Sequence, residues 1–152
     1  MDFISLIKTG NLNAIILEIN LKPAIVHMPN ERGFTPLIMA SYVNNREVVQ
    51  LLLDNEANIN AFDHAGNTAL MGVSFKGNLD LAELLIQNNA KVDIQNKQGQ
   101  TALIFAAMFG KSEIIDLLLK HKAKKEITDS TGMTALDYAK KESFESIVKL
   151  LA

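Results

Sequence analysis

Residues 63–70, Asp63-His64-Ala65-Gly66-Asn67-Thr68-Ala69-Leu70, decide how this chain folds, because their pattern returns at a fixed step. Gly33, Gly66, Gly99 and Gly132 stand 33 residues apart. Two residues after each comes a threonine (Thr35, Thr68, Thr101, Thr134), and two further on a leucine (Leu37, Leu70, Leu103, Leu136). The chain has 8 glycines in 152 residues, so four in one phase, each trailed by the same pair, are not a compositional accident. The register runs on through Leu51-Leu52-Leu53, Leu84-Leu85-Ile86 and Leu117-Leu118-Leu119, with Leu150-Leu151 closing the series and Ala57, Ala90 and Ala123 keeping step. A period of this length marks a stack of repeated units.

Each unit reads as a turn followed by two helices. The polar run before each glycine, such as Asn96-Lys97-Gln98-Gly99, has turn chemistry, with glycine free to take positive φ at a hairpin tip. The threonine then suits a helix N-cap, and Pro36 sits where proline is best tolerated, at the first helical position. Leu37, Ala40 and Ser41 fall on one helical face, and polar breaks at Val43-Asn44-Asn45, Lys76-Gly77-Asn78 and Gly110-Lys111-Ser112 end the first helix. The second helix carries an apolar stripe, for example Leu81, Leu84 and Leu85, with acids near its start at Glu47, Asp80 and Glu113. Small residues on the first helix facing large ones on the second predict close antiparallel packing.

Turn, G-x-T-(P/A)-L, helix, short loop and Leu-rich helix at this step resemble the ankyrin repeat over essentially the whole chain. The resemblance implies an all-α solenoid of stacked helix-turn-helix pairs with short β-hairpin-like loops. It is read as a single domain over 1–152, divided as 1–29 (N-cap), 30–62, 63–95, 96–128 and 129–152 (C-cap). The first unit has no preceding hairpin, and Pro23-Ala24 adds one residue to its loop. In the last, Asp137 and Lys140 replace the apolar or small residues of earlier copies, as a solvated end demands. The histidine usual after T-P-L is replaced by Ile38, Met71, Ile104 and Asp137. The glycine usual at the second helix end is Glu56, Asn89 and Lys122, so a left-handed cap there costs about 1 kcal/mol at Glu and Lys. Gly72 interrupts a first helix where Met39, Phe105 and Tyr138 stand in other copies, and neighbouring side chains are expected to fill the gap, because cavities are costly.

Composition narrows the function. With 15 Lys+Arg against 17 Asp+Glu, the net charge of −2 provides no field to gather nucleic acid or anionic lipid. The absence of cysteine removes disulfides, thiolate chemistry and sulfur-ligated zinc, and fits a reducing compartment. Met1-Asp2-Phe3-Ile4 lacks the basic lead-in and cleavage site of a signal peptide, and no apolar run reaches the roughly 20 residues of a membrane span. A cytoplasmic protein is expected. His27, His64 and His121 lie at three different points of the repeat, and no nucleophile elbow, H-E-x-x-H or P-loop is present. These readings point away from an enzyme, a cofactor, a metal, a small-molecule substrate and a membrane.

What remains is recognition of another protein. Tyr42, Phe75 and Met108 stand nine residues after successive hairpin glycines, with Lys141 in the last copy. The resemblance places that part of the first helix on the concave, partner-facing surface. Either these groups pack between repeats or they form an exposed binding row, and the residues alone leave both open. Ile38, Met71 and Ile104 read as inter-repeat packing. Phe34, Phe62 and Phe109 add apolar groups beside the hairpins or at first-helix ends, and His64 joins them at a hairpin tip. The expected role is non-enzymatic: an adaptor, or a blocking protein of the inhibitor or immunity type. The alternative is an acidic surface or nucleic acid held by Lys120-His121-Lys122-Ala123-Lys124-Lys125, although cations at a helix C-terminus have an ordinary structural reason to be there.

Overall fold

The computed structural model, which describes residues 1–152, contains ten α-helices in five pairs. The first members are α1 (Phe3–Thr9), α3 (Pro36–Tyr42), α5 (Ala69–Lys76), α7 (Ala102–Met108) and α9 (Ala135–Lys141). The second members are α2 (Leu12–Leu21), α4 (Arg46–Asp54), α6 (Leu79–Gln87), α8 (Ser112–Lys120) and α10 (Glu145–Leu151). Sheet structure is confined to one antiparallel bridge, Phe62 to Thr68.

Local chemistry sets the element ends. Thr35, Thr68, Thr101 and Thr134 hold extended backbone while their hydroxyls accept the N–H of Ile38, Met71, Ile104 and Asp137, satisfying donors that a helix start leaves free. Asp137 returns the contact and completes a capping box. Asn11, Asn45 and Asn78 cap the second helices in the same way. At the far ends Glu56, Asn89 and Lys122 take left-handed backbone, with φ of 64°, 69° and 63°. This lets the N–H of Ala57, Ala90 and Ala123 reach back to Leu52, Leu85 and Leu118, the longer bond of a Schellman closure. The strain expected from the missing glycines is therefore present in the fold.

The first helices pack in sequence, α1 on α3, α3 on α5, α5 on α7 and α7 on α9, and the second helices α6, α8 and α10 form a parallel row. Between the rows lies a continuous apolar core in which Leu37, Ala40, Leu52, Leu85, Ala107 and Leu118 are buried. Alanine and serine on the first helices let them approach closely, while leucine and isoleucine on the second fill the space between. Position by position, Met71 and Ile104 are buried and Ile38 half-buried, in keeping with inter-repeat packing. In the first unit a 3₁₀ turn at Pro23–His27 takes up the longer loop.

The hairpins are organised by residues that glycine counting passes over. Asn30, Asp63, Asn96 and Asp129, each three before a repeat glycine, accept two backbone N–H groups on Oδ1, from the residues two and four positions on. These are Asx turns, and they shape all four tips alike. Neighbouring tips are then tied through the main chain: Lys97 N–H donates to Ala65 at 3.0 Å and Ser130 N–H to Gln98 at 2.8 Å. The glycines at 66 and 99 are required twice over. Each has positive φ, and a β-carbon would lie 2.9 Å from the backbone nitrogen of the next tip.

Candidate protein-binding face

The helical phase that buries Leu37, Ala40 and Ser41 turns the residues at 42, 75 and 108 away from the second helices. Tyr42 is 63% exposed and Phe75 45%, whereas Met108 is half-buried and Lys141 exposed. Phe109, one residue past the end of α7, is 44% exposed and meets Phe75 edge-on, with ring centroids 4.5 Å apart. Phe75 and Phe109 thus touch, and both, with Tyr42, keep much of their surface open.

Two adjoining hollows flank Phe75. The first, of about 300 Å³, lies between the units of α3 and α5 and is bordered by Phe34, Ile38, Tyr42, Met71, Phe75 and Phe105. The second, of about 400 Å³, is bordered by Phe75, Phe105, Met108, Phe109 and the hairpin residues Lys97 and Gln98. Phe75 and Phe105 form the partition between them. Of the residues singled out in the sequence, Phe34, Tyr42 and Phe75 therefore converge on one hollow, and Phe75, Met108 and Phe109 on the other.

Phe62 and His64 line neither. Phe62, 63% exposed, sits on the strand side of its hairpin and bridges to Thr68. His64 lies with its ring against Gly33, so close that a β-carbon there would stand 2.4 Å from His64 Cδ2. The histidine therefore packs onto the preceding hairpin tip as well as facing solvent.

The expectation that neighbours would fill the gap at Gly72 is not met. A β-carbon on Gly72 would find no atom within 4 Å, and the glycine opens directly into the first hollow. The gap lies at the surface, so solvent reaches it, and the penalty for an enclosed dry void does not arise. Ser41, also at its border, has a buried hydroxyl without a hydrogen-bond partner in the chain. Lys76 stands at the edge, donating to the Tyr42 carbonyl at 2.6 Å with its ammonium 3.8 Å from the centre of the Tyr42 ring.

Elsewhere the chemistry is sparse. No group of three His, Asp or Glu residues is placed to hold a metal ion. Lys120 is paired with Asp116 at 3.0 Å across one helical turn, and the N–H of Lys124 is held by Asp93. Asp129 is nearly enclosed. Burial alone would raise its pKa, but hydrogen bonds from Thr131, Tyr138 and the Met133 N–H outweigh that and hold the carboxyl at about 2. The same bond to Asp129, with burial, raises the Tyr138 phenol.

The family model described as ankyrin repeats in three copies matches residues 4–96 and again residues 70–152. The chain belongs to the ankyrin-repeat family. Ankyrin repeats are generally protein–protein interaction modules and typically not enzymes. A search of the curated proteins finds no match to this ankyrin array. No helix of it is long and apolar enough to cross a membrane.

Proposed function

We propose that this ankyrin array is a non-enzymatic module that holds a folded protein against its first-helix face and hairpin tips, acting as an adaptor or as a blocker of the partner's active surface. The observation that carries the reading is the exposure of Tyr42 and Phe75 in one helical phase, with Phe109 against Phe75, beside hollows bordered by further aromatic groups. Large apolar side chains gathered on a surface mark interaction sites, and aromatic residues dominate interface energetics. Phe34 and Met108 serve as half-buried walls, and Phe62 and His64 extend the surface along the hairpins. The module works in the cytoplasm, without cofactor.

The test is the double variant Tyr42→Ala with Phe75→Ala, measured for helical content, thermal midpoint and retention of the partner isolated with the wild type. Folding should be nearly unaffected and binding lost. An early melt, or full retention of the partner, overturns the assignment of the row. In the second case the hairpin tips around Glu31, Arg32, His64, Lys97 and Gln98 become the site. A steep loss of affinity with salt would move it to residues 120–125.

A further inference from the structure

The four repeats that carry a hairpin place two positions in a fixed relation: the Asx residue that shapes the turn, and a first-helix residue nine positions later. The pairs are Asn30 with Met39, Asp63 with Gly72, Asn96 with Phe105 and Asp129 with Tyr138. In the last pair the contact is explicit. Tyr138 projects from α9 onto its own hairpin, and its hydroxyl donates to Oδ2 of Asp129, whose Oδ1 is occupied by the turn N–H groups. In the Asn96 pair no outside donor is needed, because the amide supplies its own hydrogens to Asn67 and Gln100.

The Asp63 pair has the carboxylate but not the phenol. Asp63 receives its two turn N–H groups on Oδ1, as Asp129 does, and it borders the hollow into which Gly72 opens. No group of the chain donates to Oδ2. Where the other repeats place Met39, Phe105 and Tyr138, this one has no side chain, and the bare position opens on about 300 Å³ among Phe34, Tyr42, Phe75 and Phe105. Packing does not explain the glycine: a β-carbon would touch nothing, φ at Gly72 is helical, and glycine inside a helix is destabilising. The hollow lies at the small end of ligand sites, roughly 300–1,000 Å³, and is walled by aromatic rings.

Resting on the protein-binding reading above, we propose that this hollow receives a tyrosine side chain presented by the partner polypeptide, its ring taking the space left by Gly72 and its hydroxyl donating to Asp63. The guest restores in trans the arrangement that Tyr138 and Asp129 make within the chain. A phosphate on the same oxygen would stand against the Asp63 carboxylate, so the phosphorylated side chain is rejected.

The intact protein is titrated with p-cresol and with toluene, the side-chain analogues of tyrosine and phenylalanine, following the Gly72 and Asp63 amide resonances. It is then used to select peptides from a displayed random library, and the best are resynthesised with Tyr, Phe or phosphotyrosine at the enriched position. Expected are tighter binding of p-cresol than toluene by about tenfold, and enrichment of tyrosine with a similar loss for the Phe peptide. The phosphotyrosine peptide should lose binding. Asp63→Asn, which keeps the turn as Asn30 and Asn96 do, should abolish the preference for the hydroxyl while leaving toluene unchanged. Gly72→Tyr should raise the thermal midpoint and block both probes and peptides.

Equal binding of p-cresol and toluene, or peptides anchored by leucine or phenylalanine, overturns the proposal. So does p-cresol binding with no tyrosine peptide selected, which would make the hollow a site for a free phenol. If selected peptides bind Gly72→Tyr as well as wild type but are lost on Tyr42→Ala with Phe75→Ala, the hollow is not the anchor while the binding face stands. Peptides indifferent to both sets of variants reject the face itself.

Discussion

Lys76 is clamped to Tyr42 of the preceding repeat twice, through the ring face and through the backbone carbonyl. Because Tyr42 is exposed, the cation–π contact is expected at the lower end of its range, about 0.5–1 kcal/mol. Lys76→Met should lower stability in urea by about that much and leave the Tyr42 ring free to turn. Aromatic proton linewidths for Tyr42 would report the second effect. An unchanged midpoint with an unchanged ring environment would show that the clamp contributes nothing.

Glu56, Asn89 and Lys122 occupy the same left-handed site in three repeats, which permits an internal comparison. Glu56→Gly and Lys122→Gly should each raise unfolding free energy by roughly 1 kcal/mol, less whatever glycine adds to the entropy of the unfolded chain. Asn89→Gly should gain clearly less, since asparagine tolerates this conformation. Urea midpoints for the three single variants check the order. Equal gains at all three would mean that side-chain type does not set the strain.

Gly66, Gly99 and Gly132 share their backbone conformation but not their surroundings. A β-carbon at 66 or 99 strikes the next hairpin's backbone, while at 132 it meets nothing within 4 Å. Alanine at 132 should therefore cost only the conformational strain, of order 1–2 kcal/mol. At 66 or 99 the cost should be larger, because the tip must also move away from Lys97 or Ser130. Calorimetric midpoints separate the two contributions, and equal losses at all three positions would deny any role to close approach.

The Asp129 cluster ties the last hairpin to α9 and makes stability depend on acid. The folded pKa of about 2 lies below the usual carboxylate value of 3.8. The stabilisation is thus complete above about pH 4 and is lost as pH falls through 2. Asp2 and Asp137, also lowered by hydrogen bonds from Ser5 and Thr134, act in the same direction. Asp129→Asn keeps the Asx turn but not the carboxylate, so it should be less stable than wild type at pH 7 and converge with it towards pH 2. Parallel melting curves at every pH would place the acid sensitivity elsewhere.

The architecture was legible because one pattern, Gly-x-Thr-x-Leu, carries turn, cap and core position together, and each of the three is set by local chemistry. The left-handed second-helix ends were legible only through the family resemblance, since Glu56, Asn89 and Lys122 do not themselves announce that conformation. Tyr42, Phe75 and Met108 were not separable in the sequence, since they share a helical phase and differ only in what the next repeat lays over them. Met108 is half-covered, with Gln100 Nε2 4.0 Å from its sulfur, whereas Tyr42 stays open. The Asx row at 30, 63, 96 and 129 was visible at the same step as the glycines, and pairing it with the residues nine positions on would have flagged Asp63 and Gly72. The open hollow itself was not readable, because the rule that voids are costly holds for enclosed space and not for a gap at the surface.

The tie between hairpin tips that joins the third unit to the fourth, and the fourth to the fifth, has no counterpart between the second and the third: no main-chain bond runs from His64 to Arg32, and the imidazole resting on Gly33 takes its place. A stack stitched along its hairpin edge at two joints is held at the joint between α3 and α5 along its helices instead, where Lys76 donates to Tyr42, Asn78 to Asn44 and Arg46 pairs with Asp80. That joint is also where Gly72 opens to the surface, so a guest seated there displaces no main-chain bond between hairpin tips.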